Sequence, residues 1–359
     1  TINHYDQDLN LSRSNINYMN KLFLYFFLLI HTISAQTLDD LEFGSDTTLD
    51  IVSWNIEWFP KNSLTATYVE KILKNLNADI YALQEIEDTI LMKQVISNIS
   101  GYEAYFKSNY YGGLAYIYNS NTISVNDQFE IFNSQQYWNA FPRSPQVLDC
   151  NHKGKNYILI NNHFKCCGDG LLNLNSSNDE ENRRKQAANY LKQYIDNNLS
   201  LNNVIVLGDL NDNLVDPNVH NVFINIINDT LNYLFTDINI AQNNTGNWSY
   251  PSWPSHLDHI LISDELFQNF AHSSSKIEVI KLDEYMSGWN NYENNVSDHR
   301  PIGLKLQTES LTFYNQTIDH KKKVYKIYDV FGVELVKKKN GVNIILYDDG
   351  SHEKEFYIK

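Results

Sequence analysis

The chain has 359 residues, 42% of them hydrophobic and 20% charged, a globular composition long enough for one large domain and a small appendage. Its formal net charge of −15 excludes a protein held on nucleic acid by a broad basic face, though not an enzyme that grips a few phosphates locally through a metal. Three cysteines without CxxC or Cys/His spacing exclude a disulfide scaffold and a structural zinc site; Cys150 pairs with one of the adjacent Cys166 and Cys167, or all three are free.

Read from Met19, the stretch MNKLFLYFFLLIHTISAQ carries Lys21, an apolar run from Leu22 to Ile30, and Ser34 and Ala35 ahead of Gln36. That is the layout of a secretory signal peptide cleaved after Ala35, with an apolar run too short to span a bilayer comfortably. Residues 1–18 then read as translated upstream sequence, 19–35 as the signal and 36–47 as a linker. The expected destination is secreted or cell-surface, with no membrane span once the signal is removed.

From Leu49 onward two kinds of pattern alternate. LDIVSWNI (49–56) and DIYALQEI (79–86) are apolar, strand-like runs, and between them Val69, Ile72, Leu73 and Leu76 are spaced for one face of a helix. A helix is expected over 89–99, followed by strands in GGLAYIYN, VNDQFEIF, SPQVLDC and NYILINNHF. DEENRRKQAANYLKQYIDNN has acids in its first turn and Ala187, Tyr190, Leu191, Tyr194 and Ile195 on one side, which predicts a second strong helix. NVIVLGDL, LDHILIS and PIGLKLQ complete the series. Many strand-to-strand steps with a few strong helices predict two mixed β-sheets face to face, flanked by helices, over 48–307.

The strands end in polar residues. Asn55 follows the first, Glu85 the second and His163 the run ILINNH; Asp209 and Asn211 end VIVLGDLN, Asp258 lies in SHLDHIL, and Asp298-His299 precedes PIGLKLQ. Each singly has an ordinary explanation as a helix cap, an Asx turn or a strand end. Jointly they are what a site assembled from many loops at one sheet edge looks like.

The ordered set SWNIEWF, DIYALQEI, RSP, NNHF, GDLND, LDHIL and SDHRPIG resembles the endonuclease/exonuclease/phosphatase superfamily, the deoxyribonuclease I-like phosphodiesterases, over roughly 48–307. The resemblance implies a four-layer α/β sandwich and a divalent metal, Mg2+ or Mn2+ with Ca2+ in support. It implies Asn55 and Glu85 as metal residues, Glu85 the principal ligand, and Asp298 as a further metal-side or phosphate-side acid. Asp209 would activate or orient the attacking water, with the Asn211 amide beside the phosphate. His299 would meet a phosphate oxygen, oriented by Asp258; His163 would be the second histidine of the deoxyribonuclease branch, and Arg143 a phosphate contact. The residue types suit the chemistry, because attack on an already anionic phosphodiester needs a hard cation and imidazolium donors to offset the growing charge.

Trp248, Tyr250 and Trp253 precede Asp258 closely and could stack on a base, with Trp253 taken as a substrate contact, or could pack a loop. The expected function is a secreted phosphodiesterase, foremost an endonuclease acting on DNA or RNA and working as a monomer. The alternatives are a phospholipid (sphingomyelinase-like) or small-phosphoester hydrolase, or a non-catalytic surface-binding protein. The tail, 309–359, alternates short strands with Gly turns and reads as a small β-sandwich-like module. The stretch VYKIYDVFGVEL…NGVNIILYDDGSHEKEFYIK resembles the C-terminal sorting domain of type IX secretion substrates, which implies the type IX machinery as a partner.

Overall fold

The computed structural model describes residues 36–107, 113–308, 324–329, 332–347 and 352–357. The signal segment expected at 19–35 and the stretch 1–18 lie outside the described residues. The chain divides into two units, Thr1–Thr308 and Glu309–Lys359.

Twelve strands of the first unit form two six-stranded sheets. They are β1 (Thr48–Phe59), β2 (Ile80–Ile86), β3 (Tyr102–Lys107), β4 (Gly113–Asn119), β5 (Ile123–Glu130) and β6 (Gln146–His152), then β7 (Lys155–His163), β8 (Val204–Asp209), β9 (Tyr233–Phe235), β10 (Asp258–Ser263), β11 (Lys276–Val279) and β12 (Ile302–Gln307). One sheet runs β11-β12-β1-β2-β4-β3 and the other β5-β6-β7-β8-β10-β9. Each holds one parallel pair, β1 with β2 and β7 with β8, in an otherwise antiparallel ladder, so both sheets are mixed.

Alternation of side chains along each strand puts apolar residues on both faces, which forces cover on both sides. Between the sheets lie Leu49, Ile51, Ile80, Leu148, Leu159, Ile205, Leu207, Ile260 and Leu304, all fully buried. Truncating one of these to alanine costs about 2–5 kcal/mol by the usual cavity effect. On the outer face of the first sheet pack α1 (Thr65–Leu76) and α2 (Thr89–Ser97), and on that of the second α3 (Glu180–Asn198). Val69, Ile72, Leu73 and Leu76 of α1 are the buried face that their spacing predicts. The Asp88 carboxylate caps α2 by accepting from Ile90 and Leu91 N–H, and Asp179 caps α3 by accepting from Asn182 N–H. The layers are thus helix, sheet, sheet, helix. No helix among the described residues is long and apolar enough to cross a membrane.

Three strands escape the sequence pattern. β3 and β9 lie at sheet edges and β11 at the edge beside β12, where one flank needs no partner and the apolar signal is short. In the second unit the described strands are β13 (Val324–Asp329), β14 (Glu334–Leu335), β15 (Gly341–Tyr347) and β16 (His352–Tyr357), joined in one antiparallel sheet ordered β14-β13-β15-β16. The sandwich expected there is therefore a single four-stranded sheet among the described residues.

Candidate active site

Strand register assembles half of the site before any side chain is considered. β7 and β8 pair in parallel with His163 opposite Asp209, and β8 and β10 pair antiparallel with Asp209 opposite Asp258. Gly208 is what permits the first match. It has φ +136, and a Cβ there would meet the Asn162 carbonyl oxygen at 2.0 Å, so no other residue lets the strands close at this point.

The other half comes from bulges in the first sheet. The β1–β2 register slips after Asn55, and Glu57 (φ 35), Trp58 (φ 52) and Glu85 (φ 62) all take left-handed backbone conformations. Such bulges turn side chains that strand alternation would send elsewhere, and here they aim Glu57 and Glu85 into the cleft. Below them, Gln84 Nε2 donates to Asn161 Oδ1 at 2.8 Å, and Asn161 Nδ2 donates to Leu83 O at 3.0 Å, a buried amide link that ties the two sheets together.

The stretch VSDHRPIG is pinned at both ends. Ser297 Oγ donates to Asn55 O (2.7 Å) and accepts from His299 N–H (2.9 Å), which fixes the turn to β1. The Arg300 guanidinium makes a two-pronged pair with Asp283 at 2.8 and 2.7 Å, donates to Gly246 O, and lies over the Trp289 ring. Asp298 and His299 are held between these anchors, both lining the cleft. Pro301 ends the turn one residue before β12 begins.

Around a cleft of about 670 Å3 these elements bring together Glu57, Glu85, His163, Asp209, Asn211, Asp298, His299, Tyr250 and Trp253. Asp258 stands behind His299, its Oδ2 2.8 Å from His299 Nδ1. Asn55 Nδ2 donates to Glu85 Oε1 (3.1 Å) and to Asp209 Oδ2 (3.0 Å), while its Oδ1 accepts from Glu57 N–H. Asn55 therefore faces the two carboxylates as a donor and holds them in register. Asp209 Oδ1 accepts from Asn211 N–H at 3.1 Å. Arg143 lies close enough for its positive charge to act on His163. Trp248 donates its indole N–H to Ile240 O and serves the loop, whereas Trp253 is 78% exposed at the cleft.

The two histidines carry opposite charge states. Burial, followed by the nearby Arg143 and His299 charges, holds His163 well below the ordinary imidazole value, so it is neutral at pH 7. Its Nε2 lies 3.7 Å from Glu85 Oε1 and 3.6 Å from Asp209 Oδ2. Burial would also lower His299, but the Asp258 and Asp209 carboxylates outweigh it and push the imidazole up to about 10. His299 is thus an imidazolium, with its Nε2 3.8 Å from Asp209 Oδ2 and the Tyr250 ring 4.8 Å away. Burial pushes Asp209 up to about 7 against the pull of His299.

The donors fit a hard divalent cation. Glu85 accepts only from neutral groups, Asn55 Nδ2 and Trp58 N–H, and its histidine neighbour is neutral; among the described residues no Lys or Arg pairs with it. Asp298 shares the cleft, and Glu57 is drawn up by burial and by Asp298 despite its pairing with Lys61. Glu85, without a cationic partner, and Asp298 in the same cleft offer the carboxylate oxygens that magnesium and manganese take as ligands. Glu57 is a site residue that the sequence reading missed, since only the bulge turns it inward. The wall formed by Glu181, Arg184, Asp212 and Asp216 was missed as well.

A second buried cluster, Asp237, His256 and His259, has no such capacity. His259 Nδ1 is 2.6 Å from Asp237 Oδ2 and its Nε2 is 2.8 Å from Asp212 O, two pure acceptors, so both nitrogens carry protons. His256 Nε2 donates to Asp237 Oδ2 at 3.0 Å while its Nδ1 accepts from Ser249 N–H. No histidine lone pair is left for a metal. Instead the cluster clamps the loop bearing Asn211 and Asp212 to β10. Burial opposes both charges, but the pairing prevails, holding Asp237 well below the usual carboxylate range and raising His259. Asp237→Asn strands a buried imidazolium and is expected to cost about 3–5 kcal/mol, read as a lower urea midpoint at pH 6. The stabilisation from His259 is complete below about pH 6.5 and lost as pH rises through its elevated folded value. That from Asp237 is present above about pH 3.9 and lost as pH falls through its depressed one.

The sequence profile of the endonuclease/exonuclease/phosphatase family matches residues 52–299. The chain belongs to this family. Among solved structures, a family member from Bacteroides vulgatus is 14% identical with a TM-score of 0.52, covering 73% of this chain and 100% of that one. TDP2 of D. rerio, solved with a single-strand DNA product, is 15% identical with a TM-score of 0.55, covering 73% and 100%. The catalytic domain of human Nocturnin, solved with a bound sulfate, is 16% identical with a TM-score of 0.51, covering 72% and 93%. At these identities the likeness establishes the fold. A comparison with curated proteins gave no match. The matched segment of this family member runs from β1 to His299, so it spans every residue of the cleft described above.

Proposed function

We propose that the chain is a secreted, divalent-metal-dependent phosphodiesterase that hydrolyses DNA or RNA. The observation that carries this reading is the pairing, in one cleft, of an imidazolium held by two carboxylates (His299 with Asp258 and Asp209) and a carboxylate with no cationic partner (Glu85). A metal bound there, on Glu85 and Asp298, would supply Lewis-acid stabilisation of the phosphate oxygens.

The chain's own residues do the rest. Asp209, its two oxygens oriented by Asn55 and Asn211, receives a proton from the attacking water. His299 directs its Nε2–H at a phosphate oxygen, and Asp258 fixes the ring and keeps it charged through the attack. Neutral His163 offers a hydrogen bond without adding charge beside Glu85. Trp58 and Trp253, 48% and 78% exposed on the cleft, offer faces on which bases stack. D. rerio TDP2, a protein of this fold solved with a DNA product, supports the choice of substrate class.

A phospholipid substrate is the second reading. Trp58 and Trp253 on the cleft, and Leu171 and Leu174 on the segment that follows Gly170 of its lining, are exposed apolar side chains of the kind a lipid would meet. Incubation of the chain with plasmid DNA, RNA and sphingomyelin vesicles, with Mg2+ or with chelator, separates the two. Nicking that chelator abolishes is expected. Lipid turnover without nicking transfers the mechanism to the second reading, and turnover unaffected by chelator refutes the metal. Because Asn55 holds Glu85 by a hydrogen bond, Asn55→Ala is expected to raise the Mg2+ concentration needed for half-maximal rate about 10–100-fold.

The second unit is proposed to act in sorting by the type IX secretion machinery, with the segment 19–35 as the entry signal. Removing 309–359 is expected to leave hydrolysis unchanged in the purified protein and to trap the chain inside its native cell. Normal export of the shortened chain would exclude that role.

A further inference from the structure

The segment that leaves β7 after His163 reads His163-Phe164-Lys165-Cys166-Cys167-Gly168, and both cysteines line the cleft. Their sulfurs are 3.0 Å apart, with the Cys167 thiol donating to Cys166 Sγ. Cys167 is exposed and has φ +70, a left-handed conformation that costs a non-glycine residue about 1–3 kcal/mol and persists only where surroundings enforce it. The surroundings here are specific. Arg184, buried on α3, donates one guanidinium nitrogen to Lys165 O (2.8 Å) and to Cys167 O (2.7 Å), and it is fixed in turn by Asp212 (2.7 Å) and Glu181 (3.0 Å). The Glu181 carboxylate also accepts from Gly170 N–H and packs against Gly168, where a Cβ would meet its Oε1 at 2.2 Å. Both carbonyls are thus turned to the guanidinium while both sulfurs are turned to each other. Cys150 offers no competition, because it is buried between the sheets among Leu148, Tyr157 and Leu159.

We propose that Cys166 and Cys167 form a vicinal disulfide on the cleft wall next to His163. The bond arises by exchange with an external disulfide such as oxidised glutathione. The exposed Cys167 sulfur attacks the glutathione disulfide, giving up its proton to solvent and releasing one glutathione thiolate. The Cys166 sulfur then attacks the Cys167 sulfur, loses its proton and expels the second thiolate, so the two electrons end on glutathione. Closure shortens the present 3.0 Å separation to a bond of about 2.05 Å, a movement small enough for the Arg184-held loop to absorb. Consecutive Cα atoms are only about 3.8 Å apart, below the usual span of a disulfide, so the bond is strained and readily reopened by a dithiol. This inference concerns the covalent state of the loop and holds whatever substrate the cleft takes.

The test uses the full chain, incubated natively with excess oxidised glutathione, then denatured, alkylated with iodoacetamide and mapped by mass spectrometry. The expected peptide containing Cys166 and Cys167 lacks two hydrogens and carries no alkyl group, while Cys150 is alkylated only after denaturation. In the same treatment Cys166→Ser is expected to leave a stable glutathione adduct on Cys167, because the resolving sulfur is gone. Alkylation of both neighbouring cysteines in the unmodified chain, a persistent glutathione adduct on either, or a bridge to Cys150 would each overturn the proposal.

Discussion

Asp209→Asn is expected to lower kcat for phosphodiester hydrolysis about 10³-fold, the scale of losing a positioned proton acceptor. The residue stands at the crossing of every element of the site. It is paired in register with His163 and with Asp258, accepts from Asn55 and Asn211, and lies within 4 Å of both cleft histidines. An amide of the same shape leaves the strands in place but cannot take a proton, and it sets one N–H₂ group against another at Asn55 or at the Asn211 N–H. That mismatch costs about 1–3 kcal/mol of stability, too little to unfold a domain with three continuous apolar layers. Single-turnover rates together with a urea melt separate the two effects. A variant that is folded and retains more than a tenth of kcat would remove Asp209 from the chemistry.

His299→Gln is expected to cost a similar factor, about 10²–10⁴ in kcat with little change in KM, because a neutral amide donates a hydrogen bond without the charge. Glutamine is preferred to alanine because it keeps a donor against the buried Asp258 carboxylate, whose other oxygen has no partner among the described residues. The pH profile tests the charge directly. His299 is pushed up to about 10, so activity that depends on the imidazolium persists through neutral pH and falls only as pH rises through that value. Burial works against the charge and Asp258 sustains it, so Asp258→Asn is expected to move the alkaline limb down by about 1–3 pH units. An unmoved limb would mean that another group sets it, and a loss confined to KM would make His299 a binding residue only.

Most of the framework was legible in the residue order because the signals for it are local. Apolar runs of strand length, an amphipathic α1 and the acids in the first turn of α3 are all decided by near neighbours along the chain. So was the recurrence of acid, amide and imidazole at the strand ends. The edge strands β3, β9 and β11 were not, since an edge strand is short and its identity depends on the sheet that receives it.

What the residue order alone could not decide is which way a side chain points once the backbone departs from strand geometry, and what charge it carries once buried. Glu57 reads as an ordinary exposed strand residue until the bulges of β1 and β2 turn it into the cleft. Arg184 and Glu181 read as the solvated face of α3, yet Arg184 pairs with Asp212 from another loop and, with Glu181, holds the cysteine segment. His163 ends one apolar run and His299 precedes another, as similar imidazoles. Tertiary structure alone makes one neutral, through burial and the nearby guanidinium and His299 charges, and the other cationic between two carboxylates. Local sequence sets the backbone, whereas the energy of a buried charge depends on neighbours that the fold brings from distant parts of the chain.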